Sequence, residues 1–173
     1  MANHGLASHR AQYTSARGQG AVLRVSARAD YAIRALVELA AAGDASLHGE
    51  SIAQAQAIPA KYLENLLGDL RRARFVVSHR GQNGGYRLAR PASTITLADV
   101  IRAIDGPLAG VRDDAPEDLS YAGAAASLKE VWIALRASMR QVLEATTVAD
   151  VAQARLPLSV RRLLKDPEAW SRR

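Results

Sequence analysis

Cysteine is absent from the 173-residue sequence, and this absence excludes several classes of site. Without thiols the chain forms no disulfide, no catalytic thiol and no thiol redox switch. Zinc sites and iron–sulfur clusters that rely on cysteine ligands are excluded for the same reason. We therefore expect no cofactor of that kind, and the sequence leaves the identity of any small-molecule effector open.

Aromatic residues and long apolar runs are also scarce. One Phe, two Trp and five Tyr are too few for the stacked platform that single-stranded nucleic acids require. No uncharged apolar run approaches the roughly 18 residues of a membrane span, and the polar start lacks the apolar stretch of a signal peptide. With 49% apolar residues, the chain is predicted to be globular, cytoplasmic and independent of membranes.

Motifs for enzymatic chemistry are missing as well. There is no Gly-Lys-Ser/Thr phosphate loop and no histidine-rich metal motif. Gly81–Gly85 leads from one predicted strand into another, whereas a nucleotide-binding loop would open a helix. The acidic loop Asp113–Asp118 lacks the ligand spacing and glycine of a calcium loop, so a solvated loop is favoured over a metal site. We predict that the protein is not an enzyme.

The net charge of +6 is unevenly distributed. Residues 1–23 carry two Arg and no acid, residues 24–90 carry ten basic against six acidic residues, and residues 91–173 carry eleven of each. A basic half followed by a neutral half is typical of a nucleic-acid-binding domain fused to another module. A solvated basic face is the simpler alternative, because net charge reports non-specific attraction rather than function.

Apolar spacing predicts three helices in the first half of the chain. They cover Arg28–Ala42, Gly49–Ala57 and a segment that begins at Pro59, a residue favoured at helix starts. The third helix carries leucines at i, i+3, i+4 and i+7, namely Leu63, Leu66, Leu67 and Leu70. These leucines bury one face and leave a polar face exposed.

A β-hairpin and a fourth helix are predicted next. Phe75–Ser78 and Tyr86–Ala89 have strand character, and the Asn83-Gly84 pair between them is a strong hairpin signal. The apolar residues from Leu97 to Ile104 then repeat with helical spacing.

A long helix dominates the prediction for the second half. It covers about Ala122–Thr146, and its apolar residues repeat with spacings of 4, 3, 4 and 3, the pattern of a helix that packs lengthwise on another helix. The residues of this seam are Leu128, Trp132, Leu135, Met139 and Val142. Short helices are predicted at Thr147–Gln153 and within Pro157–Arg173. Tyr121 and Trp132 are alternative effector contacts, although packing between helices is favoured for Trp132.

Three helices followed by a hairpin is the order of a winged helix-turn-helix, in which the third helix enters the DNA major groove. On its polar face, Lys61 suits phosphate or guanine, Asn65 suits adenine, and Glu64 suits the amino group of cytosine. In the wing, Arg80 suits the minor groove, Gly81 allows close approach of the backbone, and His79 and Arg87 suit phosphates. The rival hypothesis is a winged helix that binds a protein through its hairpin.

Six segments together resemble the Rrf2 (IscR-like) transcription regulators of bacteria over about residues 23–153. They are RVSARADYA (24–32), PAKYLENLL (59–67), LRRA (70–73), SHRG (78–81), GGYRLARP (84–91) and ITLADVIRAIDGPL (95–108). The resemblance implies a homodimeric DNA-binding repressor or activator, in which the seam of the long helix pairs the two subunits and the wings flank a palindromic operator. It also implies that Glu64 discriminates bases, that Lys61 and Tyr62 contact DNA from the recognition helix, and that Arg80 is the wing arginine.

The sequence departs from well-known members of this family in one segment. Those members bind an iron–sulfur cluster through three cysteines before and at the start of the dimerisation helix, where this chain has GVRDDAPEDLSY (110–121). The cluster is therefore not carried over, whereas the DNA-binding prediction remains, because the family includes members without a cluster.

These observations divide the chain into five predicted parts. They are a mobile tail (1–21), a mostly helical winged helix-turn-helix with a small hairpin (22–106), a linker (107–121), a dimerisation region (122–153) and a short terminal helix (154–173). Arg10 and Arg17 of the tail form a possible DNA-contacting arm, a minor alternative to an unattached tail.

Overall fold

The structure, a computed structural model, describes residues 25–81, 84–111 and 114–171 and is mostly helical with one antiparallel hairpin. The α-helices are α1 (Ala27–Ala41), α2 (Gly49–Gln56), α3 (Ala60–Arg72), α4 (Leu97–Asp105), α5 (Leu128–Leu143), α6 (Val148–Ala152) and α7 (Leu158–Leu163). The strands are β1 (Val76–His79) and β2 (Gly85–Leu88). Short 3₁₀ helices lie at Ala92–Thr94, Pro116–Asp118, Gly123–Ala125 and Pro167–Trp170. The predicted mostly helical fold with a small hairpin is confirmed.

Three helices begin at hydroxyl side chains that cap their first turn. Ser26 Oγ accepts a hydrogen bond from the Ala29 N–H at 2.9 Å and donates one to Asp105 at 2.8 Å, so the cap also ties α1 to the end of α4. Thr96 and Thr147 form capping boxes at α4 and α6. Caps of this type are worth about 1 kcal/mol each because they satisfy backbone N–H groups that the helix leaves without partners.

The turn between α2 and α3 lies where the sequence predicts it. Ala57 ends α2 in the left-handed conformation with φ 49°, and the buried Ile58 donates its backbone N–H to the Ala53 carbonyl at 2.9 Å. The chain therefore reverses tightly before Pro59, which directly precedes the first residue of α3. This sharp reversal sets α3 across α2, as a helix-turn-helix requires.

A single apolar core joins α1 to the helices that follow it. Leu36 and Leu39 of α1, Leu63 and Leu67 of α3, and Val100 of α4 are fully or almost fully buried. The leucines of α3 all lie in this core, as their spacing predicts. The opposite side of α3 is therefore presented to solvent on a rigid base.

The hairpin is attached to the start of α2 by its second strand. β1 and β2 pair from Val76 with Leu88 to His79 with Gly85. Leu47 forms a separate antiparallel bridge with Tyr86, outside the pairing of β1 with β2. Gly85 has φ +131°, and a Cβ at this position would lie 2.6 Å from the Leu47 carbonyl oxygen. Only glycine fits here, because a side chain would block the bridge.

The long helix begins later than the sequence predicts. The predicted start at Ala122 is wrong, since Gly123–Ala125 is a 3₁₀ turn and α5 begins at Leu128. Gly123 has φ +61° in this turn, outside the range of a right-handed helix. The alanines that follow have no long side chain that would hold a helical turn against the core.

The chain returns to the core after α5. Leu97 N–H donates to the Thr146 carbonyl and Val148 N–H donates to the Ile95 carbonyl, both at 2.9 Å. Val148 is fully buried in the main core, where α6 packs on α1. Residues 148–152 thus share the core of the winged helix, although the predicted division grouped them with the dimerisation helix.

Several predicted features lie outside the described residues. They are the tail 1–21 with Arg10 and Arg17, Asn83 of the hairpin turn, and Asp113 of the acidic loop. In the described part of the chain, no helix is long and apolar enough to cross a membrane.

Candidate nucleic-acid interface

The exposed face of α3 carries the four side chains that the sequence singles out. Lys61, Tyr62, Glu64 and Asn65 are all exposed, whereas the leucines between and beyond them are buried. The four lie on the first two turns of the helix. They form one polar surface on the N-terminal half of α3.

Lys61 and Glu64 are paired within this surface. Nζ of Lys61 lies 2.8 Å from a carboxylate oxygen of Glu64, one turn further along the helix. The hydrogen bond, reinforced by the opposite charges, lowers the pKa of the Glu64 carboxyl and raises the pKa of the Lys61 ammonium. Both groups are therefore firmly charged at neutral pH.

Tyr62 is oriented by α1, a contact that the sequence analysis missed. Its ring meets the ring of Tyr31 edge to face, with centroids 5.6 Å apart and planes at 83°. The guanidinium of Arg34 lies 5.3 Å from the centre of the Tyr31 ring. Edge-to-face and cation–π contacts restrict ring orientation. Because Tyr31 and Tyr62 are distant in sequence, only the packing of α1 against α3 reveals the pair.

The residues of the wing that the sequence predicts to contact DNA lie on the two strands or directly after β1. His79, Arg80, Gly81 and Arg87 are all exposed. Arg87 Nε donates a hydrogen bond to His79 Nε2 over 3.1 Å. It links the two side chains across the hairpin, next to Arg80 in the sequence.

A cavity of about 650 Å³ lies between the helix-turn-helix and the wing. Its walls come from three elements: the start of α2, the exposed face of α3, and Tyr86 of β2. Lys61 and Glu64 both line it. The structure thus brings Lys61 and Glu64, two of the predicted recognition residues, to one concave surface with Tyr86 of the wing.

A second basic region lies behind the wing and was not predicted. Arg71, Arg74 and Arg90 line a cavity of about 550 Å³ together with residues of β1. Arg71 donates to Ser78 Oγ at 3.3 Å, and within the described chain neither it nor Arg74 pairs with a carboxylate. These residues add positive charge next to the hairpin.

The seam of α5 is only partly covered by the chain itself. Leu128, Trp132, Leu135, Met139 and Val142 are all half-buried, and no residue of α5 is fully buried. Trp132 Nε1 donates to the Tyr121 hydroxyl at 3.0 Å. The exposed fractions of Val131 and Ile133 are 53% and 37%, which is high for apolar residues of a folded helix.

The acidic loop is engaged in ion pairing. Glu117 accepts a hydrogen bond from Arg136, and this contact, after a hydrogen bond from its own backbone, lowers the pKa of the Glu117 carboxyl. Over the described ranges, no three histidine or acidic side chains cluster as a metal site would require.

Comparison with known proteins identifies relatives of one kind. Residues 25–154 match the family model described as Rrf2, iron-dependent transcriptional regulator. Rv1287 of Mycobacterium tuberculosis, named as an HTH-type transcriptional regulator, is 52% identical over 148 residues, which cover 85% of this chain and 92% of that protein.

Two solved structures share the fold. CymR, the global cysteine regulator of Bacillus subtilis, superimposes with a TM-score of 0.67 at 33% identity and covers 77% of this chain and 98% of its own. IscR of T. potens superimposes with a TM-score of 0.60 at 30% identity, and the match covers 87% of this chain and 93% of IscR. The matched family, Rv1287 and CymR are all named as transcriptional regulators, a non-enzymatic kind of protein, and the prediction that the chain is not an enzyme agrees with them.

The family description names iron, and the donor atoms of this chain decide whether it could hold an iron–sulfur cluster. Iron–sulfur clusters are held by thiolates, and this chain has none. The carboxylate of Glu117, in the segment where relatives of the cluster-binding type have cysteines, is bound to Arg136 instead. The residues present do not fit such a cluster.

Proposed function

Because the chain belongs to the Rrf2 family of transcriptional regulators, we propose that it is a repressor that binds a palindromic operator as a homodimer. The observation that supports this proposal is the concave surface on which Lys61 and Glu64 of α3 meet the start of α2 and Tyr86 of the wing. A helix fits the major groove of B-DNA, and a wing arginine fits the adjacent minor groove.

In this proposal the recognition residues divide into two groups. Lys61 and Asn65, with Glu64 between them in the sequence, face base edges in the major groove. Tyr62 completes the surface from its position against Tyr31. Arg80 enters the minor groove, while His79, Gly81 and Arg87 approach the phosphates beside it. Phosphate contacts supply affinity and register, and base contacts supply specificity.

The Lys61–Glu64 pair gives Glu64 a role in specificity rather than affinity. A carboxylate near DNA is repelled by phosphates. It therefore favours binding only where a base, such as cytosine with its amino group, donates a hydrogen bond to it. On binding, Lys61 gives up its hydrogen bond to Glu64 and donates to an acceptor on the DNA instead. The wrong base leaves the carboxylate without a donor, and this penalty rejects the wrong sequence.

The homodimer is supported by α5, whose apolar seam is only half-covered within one chain. Two copies joined along this helix would carry two recognition helices. Such dimers bind half-sites separated by about one turn of DNA, 34–36 Å, or a multiple of it, and a two-fold protein matches a palindromic site.

Selection of bound fragments from genomic DNA, followed by measurement of affinity against salt, tests the proposal. We expect a palindromic motif, and an affinity that falls steeply with salt as counterions are released. If no DNA motif is enriched and the affinity for DNA does not depend on salt, the result would instead support the rival function, a winged helix that binds a protein.

A further inference from the structure

We propose that a cavity of about 340 Å³ between α4 and α5 binds a small organic anion with at least two acidic oxygens. Its lining consists of Arg102, Gly106, Pro107, Leu108, Arg136 and Arg140. The regulatory consequence drawn below rests on the proposed function, whereas the binding site itself does not.

Three arginines from two helices converge on this cavity. Arg102 lies in the last turn of α4, and Arg136 and Arg140 lie one turn apart on α5. Arg136 is largely buried, with 17% of its side chain exposed. Pro107 and Leu108 supply an apolar wall opposite these charges. A site with clustered guanidinium groups and an apolar wall suits an acidic ligand with a small apolar body.

The arginines are held in place from outside the cavity. Arg102 donates to Glu144 and Arg136 donates to Glu117, and neither carboxylate lines the cavity. Nε of Arg140 lies 3.8 Å from Glu144, beyond hydrogen-bonding distance. Each guanidinium has five N–H donors, so most of the donors of the three arginines are not used by the acids. The geometry leaves them available for a ligand.

The same acids determine which anions bind. Because Glu117 and Glu144 already offset much of the arginine charge, attraction by net charge alone is weak. A ligand gains most from direct, bidentate hydrogen bonds to guanidinium groups. Phosphomonoesters and dicarboxylates offer such pairs of oxygens, whereas chloride does not.

The position of the cavity connects binding to DNA affinity. α4 belongs to the winged-helix core, and α5 carries the seam assigned to dimerisation. An anion that bridges Arg102 to Arg140 favours one angle between these helices and so sets the spacing of the two recognition helices. Such coupling is reciprocal: operator DNA changes the affinity for the anion by the same factor.

Calorimetric titration of the full-length chain with phenyl phosphate, at constant ionic strength, tests the site. We expect one phenyl phosphate to bind per chain and the neutral benzyl alcohol not to bind. Arg140→Gln should weaken binding by about tenfold, since charge-assisted hydrogen bonds are lost. Arg161→Gln, at an exposed arginine of α7, is the matched control and should leave binding unchanged.

The outcomes separate this site from the proposed function. Phthalate, a dicarboxylate, is titrated in the same way as phenyl phosphate. Failure of both anions to bind, or equal weakening by Arg140→Gln and Arg161→Gln, overturns the site. Since Arg140 is exposed, we expect circular dichroism to show that the variant is folded. Anion binding by a chain without operator affinity would leave the site standing and refute the DNA-binding proposal. Operator binding without anion binding would support the DNA-binding proposal and refute the anion site.

Discussion

Leu47 and Tyr86 exchange both of their backbone hydrogen bonds, with N···O distances of 2.9 and 2.8 Å. The exchange fastens the wing to the residue that precedes α2 by two positions. The wing is therefore positioned relative to the recognition helix by main-chain geometry. Side-chain substitutions on the wing surface can change its DNA contacts without changing its position.

Gly85→Ala is expected to disrupt this bridge. The new Cβ would lie 2.6 Å from the Leu47 oxygen, and φ +131° is strained for any residue but glycine. We expect the free energy of unfolding, measured by urea denaturation, to fall by about 1–3 kcal/mol. Gly68→Ala is the matched control: its Cβ would meet nothing closer than the end of Arg72 at 3.7 Å, so a small gain of about 0.5–1 kcal/mol is expected. Equal losses in the two variants would contradict this account.

Glu64→Gln is expected to relax base choice at one operator position. The carboxylate accepts from a base donor, whereas the amide both accepts and donates, so discrimination of about 1–3 kcal/mol is lost there. Selection from a randomised site measures the effect, with Glu130→Gln on α5 as a control. Because Lys61 lowers the pKa of Glu64, the wild-type preference should stay constant across neutral pH. An unchanged selected motif in the variant would remove Glu64 from the specificity role.

Arg80→Ala is expected to weaken DNA binding for all sequences alike. Loss of one cationic contact reduces the slope of log affinity against log salt by about 1. Electrophoretic mobility shift at several salt concentrations measures this slope. Arg161→Ala, on the exposed side of α7, should leave it unchanged. A variant that binds as tightly as the wild type would place the wing away from DNA.

Leu135→Asp is expected to separate the homodimer. It places a charge in the half-covered apolar seam, whereas Ala137→Asp places the same charge on an exposed position of α5. Light scattering should give about twice 18.5 kDa for the wild type and for Ala137→Asp, and 18.5 kDa for Leu135→Asp. A wild-type mass of 18.5 kDa at micromolar concentration would refute the dimer.

The sequence predicts the exposed face of α3 well because helical period alone decides it. Once the four leucines are buried, Lys61, Tyr62, Glu64 and Asn65 must face outward. The contacts that orient this face could not be predicted in the same way. The pairs Tyr31–Tyr62 and Leu47–Tyr86 join residues far apart in sequence, and no local spacing reports them.

The start of α5 shows a different limit. Alanines at 124–126 favour a helix, but helix propensity is a weak preference when no side chain packs on the core. Gly123 at φ +61° adopts a turn there instead. The arginine-lined cavity was missed because Arg102 and Arg140 become neighbours only when α5 lies beside α4.

The return of α6 to α1 has a consequence for the order of events during synthesis. Val148 completes a core whose other members begin at Ala29, so the ribosome must release α5 before that core can close. Contacts between such distant residues form late, because a long loop must first be ordered. The helix assigned to pairing is therefore already outside the ribosome when the winged helix becomes complete.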